Sequence, residues 1–310
     1  MKEINIRENV PLGPLTTFRI GGPARYLVKV KNERELSSAL AWAEERNLRK
    51  FILSGGSNVL FADSGFDGLV ICLGLNGFEF EGNVLRAGAA CELLRMIEVS
   101  AERGLGAWQS LAGIPGTVGG AVRGNAGAFG TEIAAVVRAV EAMDSRSGER
   151  RRFENRRINF SYRNSFFKQN PSWVILSVEI ELSPAEPDEL ARQIAAVIAR
   201  RRQRGIHDRP SAGSFFLNPE ADARVREMFE RDKGTVCRHG RVPAGWLIEE
   251  VGLAGHRIGG AVSVPGLANC IANVGGATFE DVMMLSSFIK QRVRDTFGIQ
   301  LREEVTVVPG

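Results

Sequence analysis

The sequence of 310 residues is short of the residue types that would tie it to a metal, a membrane or an oxidising compartment. It holds four cysteines (Cys72, Cys91, Cys237 and Cys270) without a CxxC pair, and its three histidines (His207, His239 and His256) form no HExxH. A structural zinc site or a disulfide framework is therefore not expected, and a reducing cytoplasm is the natural home. No apolar run reaches the roughly 18 residues of a membrane-spanning helix. The opening MKEINIRENVPLGPLTTF also lacks the apolar core of a secretory signal. The common nucleotide fingerprints are missing too: there is no GxxxxGK[ST] and no GxGxxG following a strand. With 44% hydrophobic and 25% charged residues the composition is that of a globular protein, which excludes disorder, collagen-like repeats and coiled coil.

Glycine is what the chain has in excess, with 35 residues gathered in clusters. Around them the pattern mixes strands and helices without strict βαβ alternation, which predicts an α+β fold. Residues 24–30 alternate as a strand, and Asn32 caps a helix with Glu35 completing the box. Strands are expected at 51–54, 68–73, 136–144, 149–153 and 173–182, with a hairpin over 78–87 turning at Gly82-Asn83. A helix lined by Leu93, Leu94 and Ile97 ends at Gly104, and Pro187 opens another that runs out in Arg200-Arg201-Arg202-Gln203-Arg204. The last third reads as a separate α+β unit. It has strands near 214–217, 256–264 and 269–274, a helix from a Thr278 cap with Asp281 to about Phe297, and a final strand over 299–308. The stretch Leu111–Gly130 shows no periodicity and fits neither helix nor strand.

Two glycine-rich loops carry the first chemical signal. One is Ser54-Gly55-Gly56-Ser57-Asn58; the other runs from Gly113, Ile114, Pro115, Gly116 and Thr117 through Gly119, Gly120 and Asn125 to Gly127. Successive backbone N–H groups in such loops form nests for phosphate oxygens. Ser54, Ser57, Asn58, Thr117 and Asn125 add side-chain donors. One loop of this kind reads as a tight turn; two, each bearing donors, read as the two sides of a diphosphate site. Three further features are weak alone. Tyr162-Arg163-Asn164-Ser165 lies between aromatics, Ser214 follows a glycine at a strand start, and Glu303-Glu304 interrupts an apolar last strand. Alternation there puts Leu301, Glu303, Val305 and Val307 on one face, so one of the two carboxylates points inward or into a cleft, or else marks a charged edge. The net charge of +4 and a pI of about 9.0 suit anionic small molecules as well as nucleic acid. No recognition motif accompanies the arginine run, which reads as a helix end complementing the dipole.

In order, TTFRIGGPA, LSGGSNVL, AGIPGTVGGAVRGNAGAFGTEI, YRNSFFK, PSAGSFF, PAGWLIEEVGLAG and LREEV together resemble the UDP-N-acetylenolpyruvoylglucosamine reductase family, from about Thr16 to Gly310. The resemblance implies an FAD-binding fold of the vanillyl-alcohol oxidase type. Residues 1–75 would form one FAD-binding subdomain, joined by 298–310; 76–204 would form a second, and 205–297 a substrate-binding domain. It implies bound FAD held by the two glycine loops, NADPH as co-substrate, and a UDP-sugar enolpyruvyl ether as substrate in peptidoglycan synthesis. Neither nucleic acid nor membrane is implied as partner, and the protein would be a monomer or weak oligomer. Arg163 matches the family arginine that stabilises the enolate, Ser214 the proton donor, and Glu304 the acidic partner of the substrate carboxylate. A flavin-dependent oxidase or dehydrogenase of another sugar or alcohol, or a flavin-binding module without turnover, would lack that trio.

The chain departs from the family pattern at several points. The interval Ser183–Pro187 carries no inserted tyrosine loop, which places the chain in the shorter subgroup and makes Tyr162 the candidate for substrate phosphate; Asn218 is a second substrate contact. Leu217 stands where lysine or arginine is usual, the stretch 207–210 where a Lys/Gln-Pro stretch is common, Leu267 in a segment without its frequent histidine, and Thr306 for an arginine. Arg202 or Arg204 is expected to replace the missing cation.

Overall fold

The computed structural model describes residues 4–205 and 209–310; His207 and Asp208, from the atypical stretch before Pro210, lie outside the described residues. The chain divides into two compact units, one of residues 1–10, 24–56 and 67–203, the other of 11–23, 57–66 and 204–310.

The first unit is built on two sheets. In the smaller, the strands Arg49–Leu53 and Phe66–Leu73 run parallel. The helix Glu33–Glu45 packs Leu36, Ala39, Leu40 and Ala43 against Val28, Val30, Leu69 and Ile71. That helix starts at the expected cap: the Asn32 side chain accepts the Glu35 N–H at 2.9 Å and Glu35 reaches back to the Lys31 amide. The larger sheet has five antiparallel strands, with Val137–Asp144 and Trp173–Glu181 at its centre. The hairpin Phe78–Glu81 and Val84–Gly88 forms one edge. Between this sheet and the helices Leu93–Glu102 and Pro187–Gln203 lies a core containing Trp108, Val140, Val178 and Leu190. The aperiodic stretch 111–130 is not wholly irregular, because Thr117 caps a six-residue helix, Val118–Arg123. Glycine at 119 and 120 hides that helix from a propensity reading.

The second unit sets the helix Phe279–Phe297 against a four-stranded sheet ordered Ser211–Ser214, Cys270–Asn273, Ala261–Ser263 and Arg257–Ile258. Val282, Leu285, Ile289 and Val293 form the buried stripe of that helix. Its start is the expected capping box between Thr278 and Asp281. Two helices without a clear signal in the sequence, Ala223–Lys233 and Ala244–Glu250, complete the unit.

The last strand differs from expectation. Only Thr306–Val308 is a strand, parallel to Val59–Phe61. Upstream, Glu303 forms an isolated antiparallel bridge to Phe216. The segment thus changes partner and direction of pairing near Val305, which breaks the two-residue alternation. The buried residues are Leu301, Val305 and Val308, with Val307 only half-buried.

Candidate functional site

In the first unit the two glycine loops touch. Ser54 follows the strand Arg49–Leu53, and its Oγ lies 2.6 Å from Thr117 Oγ1. A Cβ on Gly55 would come within 2.8 Å of the Gly116 Cα, so the loops meet backbone to backbone and only glycine allows it. Gly56, Gly113 and Gly116 all have positive φ. The second loop is stitched to the sheet side as well. The Val118 N–H donates to Cys91 O, the Gly119 N–H to Ala89 O, and the Leu93 N–H to Gly116 O. Gly119 is therefore a packing glycine, since its Cβ would sit 2.9 Å from Ala89 O.

Gly120 is different. Its φ is ordinary, and the nearest atom to a Cβ there would be Thr117 Oγ1 at 3.5 Å. Gly124 is equally open, with nothing nearer than 3.6 Å. Neither φ nor protein packing requires glycine at 120, and in a helix it costs roughly 0.5–1 kcal/mol relative to alanine. The open backbone surface beside the joined loops is a cradle that side chains would fill. Together with the hydroxyls of Ser54 and Thr117, it fits a diphosphate group of the kind FAD carries.

Arg163 stands at the other end of the second loop. Its backbone is left-handed, φ +53°, inside a turn closed by reciprocal bonds between Ser161 and Asn164. A non-glycine residue in that region stores strain that its surroundings must hold. Here Arg163 Nη2 donates to Gly127 O at 3.0 Å, and Lys168 Nζ donates to Arg163 O at 2.9 Å. The Tyr162 ring is half-buried beside it, 5.7 Å from the guanidinium carbon. Asn125 is fully buried and works as a bracket: its Nδ2 donates to Glu132 at 2.7 Å and to Ser161 O at 2.9 Å, while its Oδ1 accepts from Ala134 N–H. It thereby ties the Gly127 end of the loop to the Arg163 turn.

Reading the arginine run as a solvated helix end misses one residue. Arg200 stacks on Phe129 at 4.7 Å, and Arg201 lies across the second loop, its Cδ 2.9 Å from where a Gly113 Cβ would be. Arg201 is half-buried; burial first, and then the charge of Arg163, push its pKa down. An arginine stays protonated regardless. Two cations thus share the neighbourhood of Gly113 and Gly127. The helical spacing holds the signal, because Leu190, Ile194, Val197 and Ile198 face the core and Arg201 continues that stripe. Arg202 and Arg204 are exposed.

In the second unit Ser214 and Glu304 are close in the hydrogen-bond network. The pairing of Ser211–Ser214 with Cys270–Asn273 shifts register between Ser211 and Ser214, where Gly213 has φ +75°. Such a bulge re-aims a side chain, and Ser214 is exposed while Phe215 and Phe216 are buried. The Glu304 N–H donates to Phe215 O at 2.8 Å, and Leu217 N–H to Arg302 O at 2.9 Å, which draws Glu304 alongside the serine. Asn58 Nδ2 donates to Glu304 O at 3.2 Å, and Thr306 N–H to Asn58 O. The neighbouring Glu303 has a different task, an ion pair with Lys290 at 2.7 Å. Asn218 Oδ1 accepts the Ala244 N–H, at the start of the helix Ala244–Glu250. Among the described residues no helix is long and apolar enough to cross a membrane.

Two glycine loops that meet beside an open backbone surface, in an α+β chain with an arginine-bearing turn, are the features of a protein that binds a nucleotide cofactor. The comparisons make that class specific. Residues 24–154 match a family model described as FAD binding domain, and residues 204–308 match one described as UDP-N-acetylenolpyruvoylglucosamine reductase, C-terminal domain. The chain is 36% identical to the UDP-N-acetylenolpyruvoylglucosamine reductase of Solibacter usitatus, over 98% of this chain and 96% of that one. It is also 36% identical to that of Moorella thermoacetica, over 98% and 94%. The crystal structure of the Thermus caldophilus enzyme of this name superposes with a TM-score of 0.77 at 30% identity, covering 99% of both chains. The chain belongs to the UDP-N-acetylenolpyruvoylglucosamine reductase family.

Proposed function

We propose that the protein is an FAD-dependent, NADPH-consuming reductase that converts UDP-N-acetylglucosamine enolpyruvate to UDP-N-acetylmuramate for peptidoglycan. The observation that carries the reading is the joined pair of glycine loops with the open surface at Gly120, in a chain of this family. The two glycine loops would hold FAD, whose flavin would supply hydride transfer between NADPH and the β-carbon of the enolpyruvyl group. In sum one hydride from NADPH and one proton add across the carbon–carbon double bond, giving the lactyl ether and NADP+.

The protein's own residues manage charge and proton. Ser54, Gly55, Gly56, Ser57, Asn58, the stretch Gly113–Thr117 and the open surface at Gly120 would hold the cofactor diphosphate. Asn125, read from the sequence as a donor to it, is instead fully buried and bonded within the protein, and with Gly119 it holds the second loop in place. Hydride arrival at the β-carbon leaves negative charge that spreads into the substrate carboxylate. Arg163, a planar cationic fork, stabilises that enolate. Its strained turn and its bond to Gly127 O hold it in place before charge develops. Arg201 serves as the second cation there. Ser214 gives its hydroxyl proton to the α-carbon; a serine is a weak acid, but the enolate carbon is a strong base, so the transfer is downhill within hydrogen-bond reach. Glu304 orients the carboxylate end. Tyr162, Asn218 and Arg204 contact the sugar nucleotide.

The test is a visible spectrum of the FAD-loaded protein under anaerobic conditions. The flavin bands should bleach on NADPH and return on addition of the enolpyruvyl sugar nucleotide. Bleaching with no return would keep the cofactor and sink the substrate. A chain that takes up no FAD would overturn the reading at its glycine loops.

A further inference from the structure

The second unit contains an open concavity of about 740 Å³ that has no part in the chemistry above. It is lined by Arg19, Arg209 and Arg257, with Val262, Asn273 and Gly275. Neither Ser214 nor Glu304 borders it. Three separate stretches of chain bring the arginines to one place, and local bonds hold that arrangement. Arg257 and Val262 are cross-strand partners, so they share a face of the sheet. Asn273 ends the neighbouring strand, and its Nδ2 donates to Phe18 O, tying the Arg19 segment to the rim.

Among the described residues, no carboxylate forms an ion pair with Arg19, Arg209 or Arg257. Two acids of the same unit are engaged with backbone: Asp281 accepts from the amides of Gly260 and Thr278, and Asp63 from the amide of Phe279. Arg257 Nε donates to Gly259 O at 2.7 Å, which fixes the fork and leaves its Nη groups outside that bond. Arg19 is held with φ +57°, its N–H bonded to Thr16 Oγ1 at 3.1 Å. Non-glycine residues kept in the left-handed region concentrate at ligand clamps. Gly275 and Gly276, also in the lining, have positive φ, and a Cβ on either would meet nothing within 4 Å.

We infer that this concavity is a second binding site, for a small molecule carrying two or more phosphoryl groups. Planar guanidinium forks match phosphate oxygens geometrically as well as in charge, and a space of about 740 Å³ lined by three of these residues has room for more than one phosphoryl group. The site is a concavity rather than a basic stripe along a helix, which favours a compact ligand over a nucleic-acid backbone.

Calorimetric titration of the FAD-loaded protein with inorganic pyrophosphate tests this. A saturable heat is expected that weakens by about tenfold or more in Arg257→Gln and in Arg19→Gln, the usual scale for losing one charge-assisted hydrogen bond. It should persist in Arg163→Gln. Both rim variants should keep the flavin spectrum and normal reduction of the enolpyruvyl substrate, which separates loss of the site from misfolding. The inference fails if no saturable heat appears, or if the heat disappears in Arg163→Gln and survives in Arg257→Gln. It fails equally if a labelled oligonucleotide binds through Arg19 and Arg257 while pyrophosphate does not.

Discussion

Where its two glycine loops meet, the first unit presents bare backbone, with the Arg163 side chain at the far end of the second loop; around Ser214 the second unit presents an exposed side chain. Around the joined loops the decisive feature is missing Cβ atoms: Gly55 lets two loops meet, and Gly120 leaves a surface bare. Around Ser214 the decisive feature is a bulge at Gly213 that leaves Ser214 exposed next to the buried Phe215 and Phe216. A backbone surface can bind a cofactor tightly, but it has no proton to give. A serine on a bulge can give a proton, but it holds very little. The contrast predicts that variants at the loops lose the cofactor, whereas a variant at Ser214 keeps it and fails only in the half-reaction that needs a proton.

The largest effect belongs to Ser214→Ala. Flavin bleaching by NADPH should proceed as in the parent. Recovery on the enolpyruvyl substrate should slow by about 10²–10⁴-fold, the usual worth of a positioned proton donor. Stopped-flow spectra of each half-reaction measure the two separately. Equal slowing of both would erase the contrast and make Ser214 a structural residue.

Two glycine variants sharpen the other side. Gly55→Ala should cost about 1–3 kcal/mol of stability as well as the cofactor, because the added methyl meets the Gly116 Cα. Gly120→Ala should cost FAD affinity alone. The FAD-free protein should melt at the same temperature or slightly higher, because alanine is the better helix residue and the space is open. Thermal melts and FAD titrations on the pair check this. A Gly120→Ala protein that binds FAD normally would mean that the open surface is not the cradle.

Much of the fold is legible in the amino-acid sequence, and the legible parts are local. The Asn32 cap, the Thr278–Asp281 box and the turn at Gly82-Asn83 depend on residues within a few positions of one another. The loop pair stands out by its glycines, though not the fact that Gly55 and Gly116 touch. Whatever depends on partners distant in sequence is harder to read. Hydrophobic patterning predicts an unbroken final strand, yet the segment changes partner from Phe216 to the strand Val59–Phe61. The helix Ala223–Lys233 is hidden because it buries only Val225 and Phe229 in an otherwise charged segment. Arg201 is hidden by its own neighbours, since a run of arginines looks uniform in composition while each one occupies a different helix face.

That difference in face supplies the smallest of the expected effects. Arg201 leans on Gly113 close to Arg163, whereas Arg204 is exposed beyond the end of its helix. If position relative to the loop decides the role, Arg201→Gln should raise the KM for the enolpyruvyl substrate by about tenfold, as for one charge-assisted hydrogen bond. Arg204→Ala should raise it by only about two- to threefold, since an exposed charge is screened and contributes little. Neither should change the rate of flavin reduction at saturating NADPH. Steady-state kinetics on both variants give the ratio directly. An Arg204 effect equal to or larger than that of Arg201 would show that the substrate's charge is met from the exposed end of the helix. The half-buried pair at the loop would then be scaffolding.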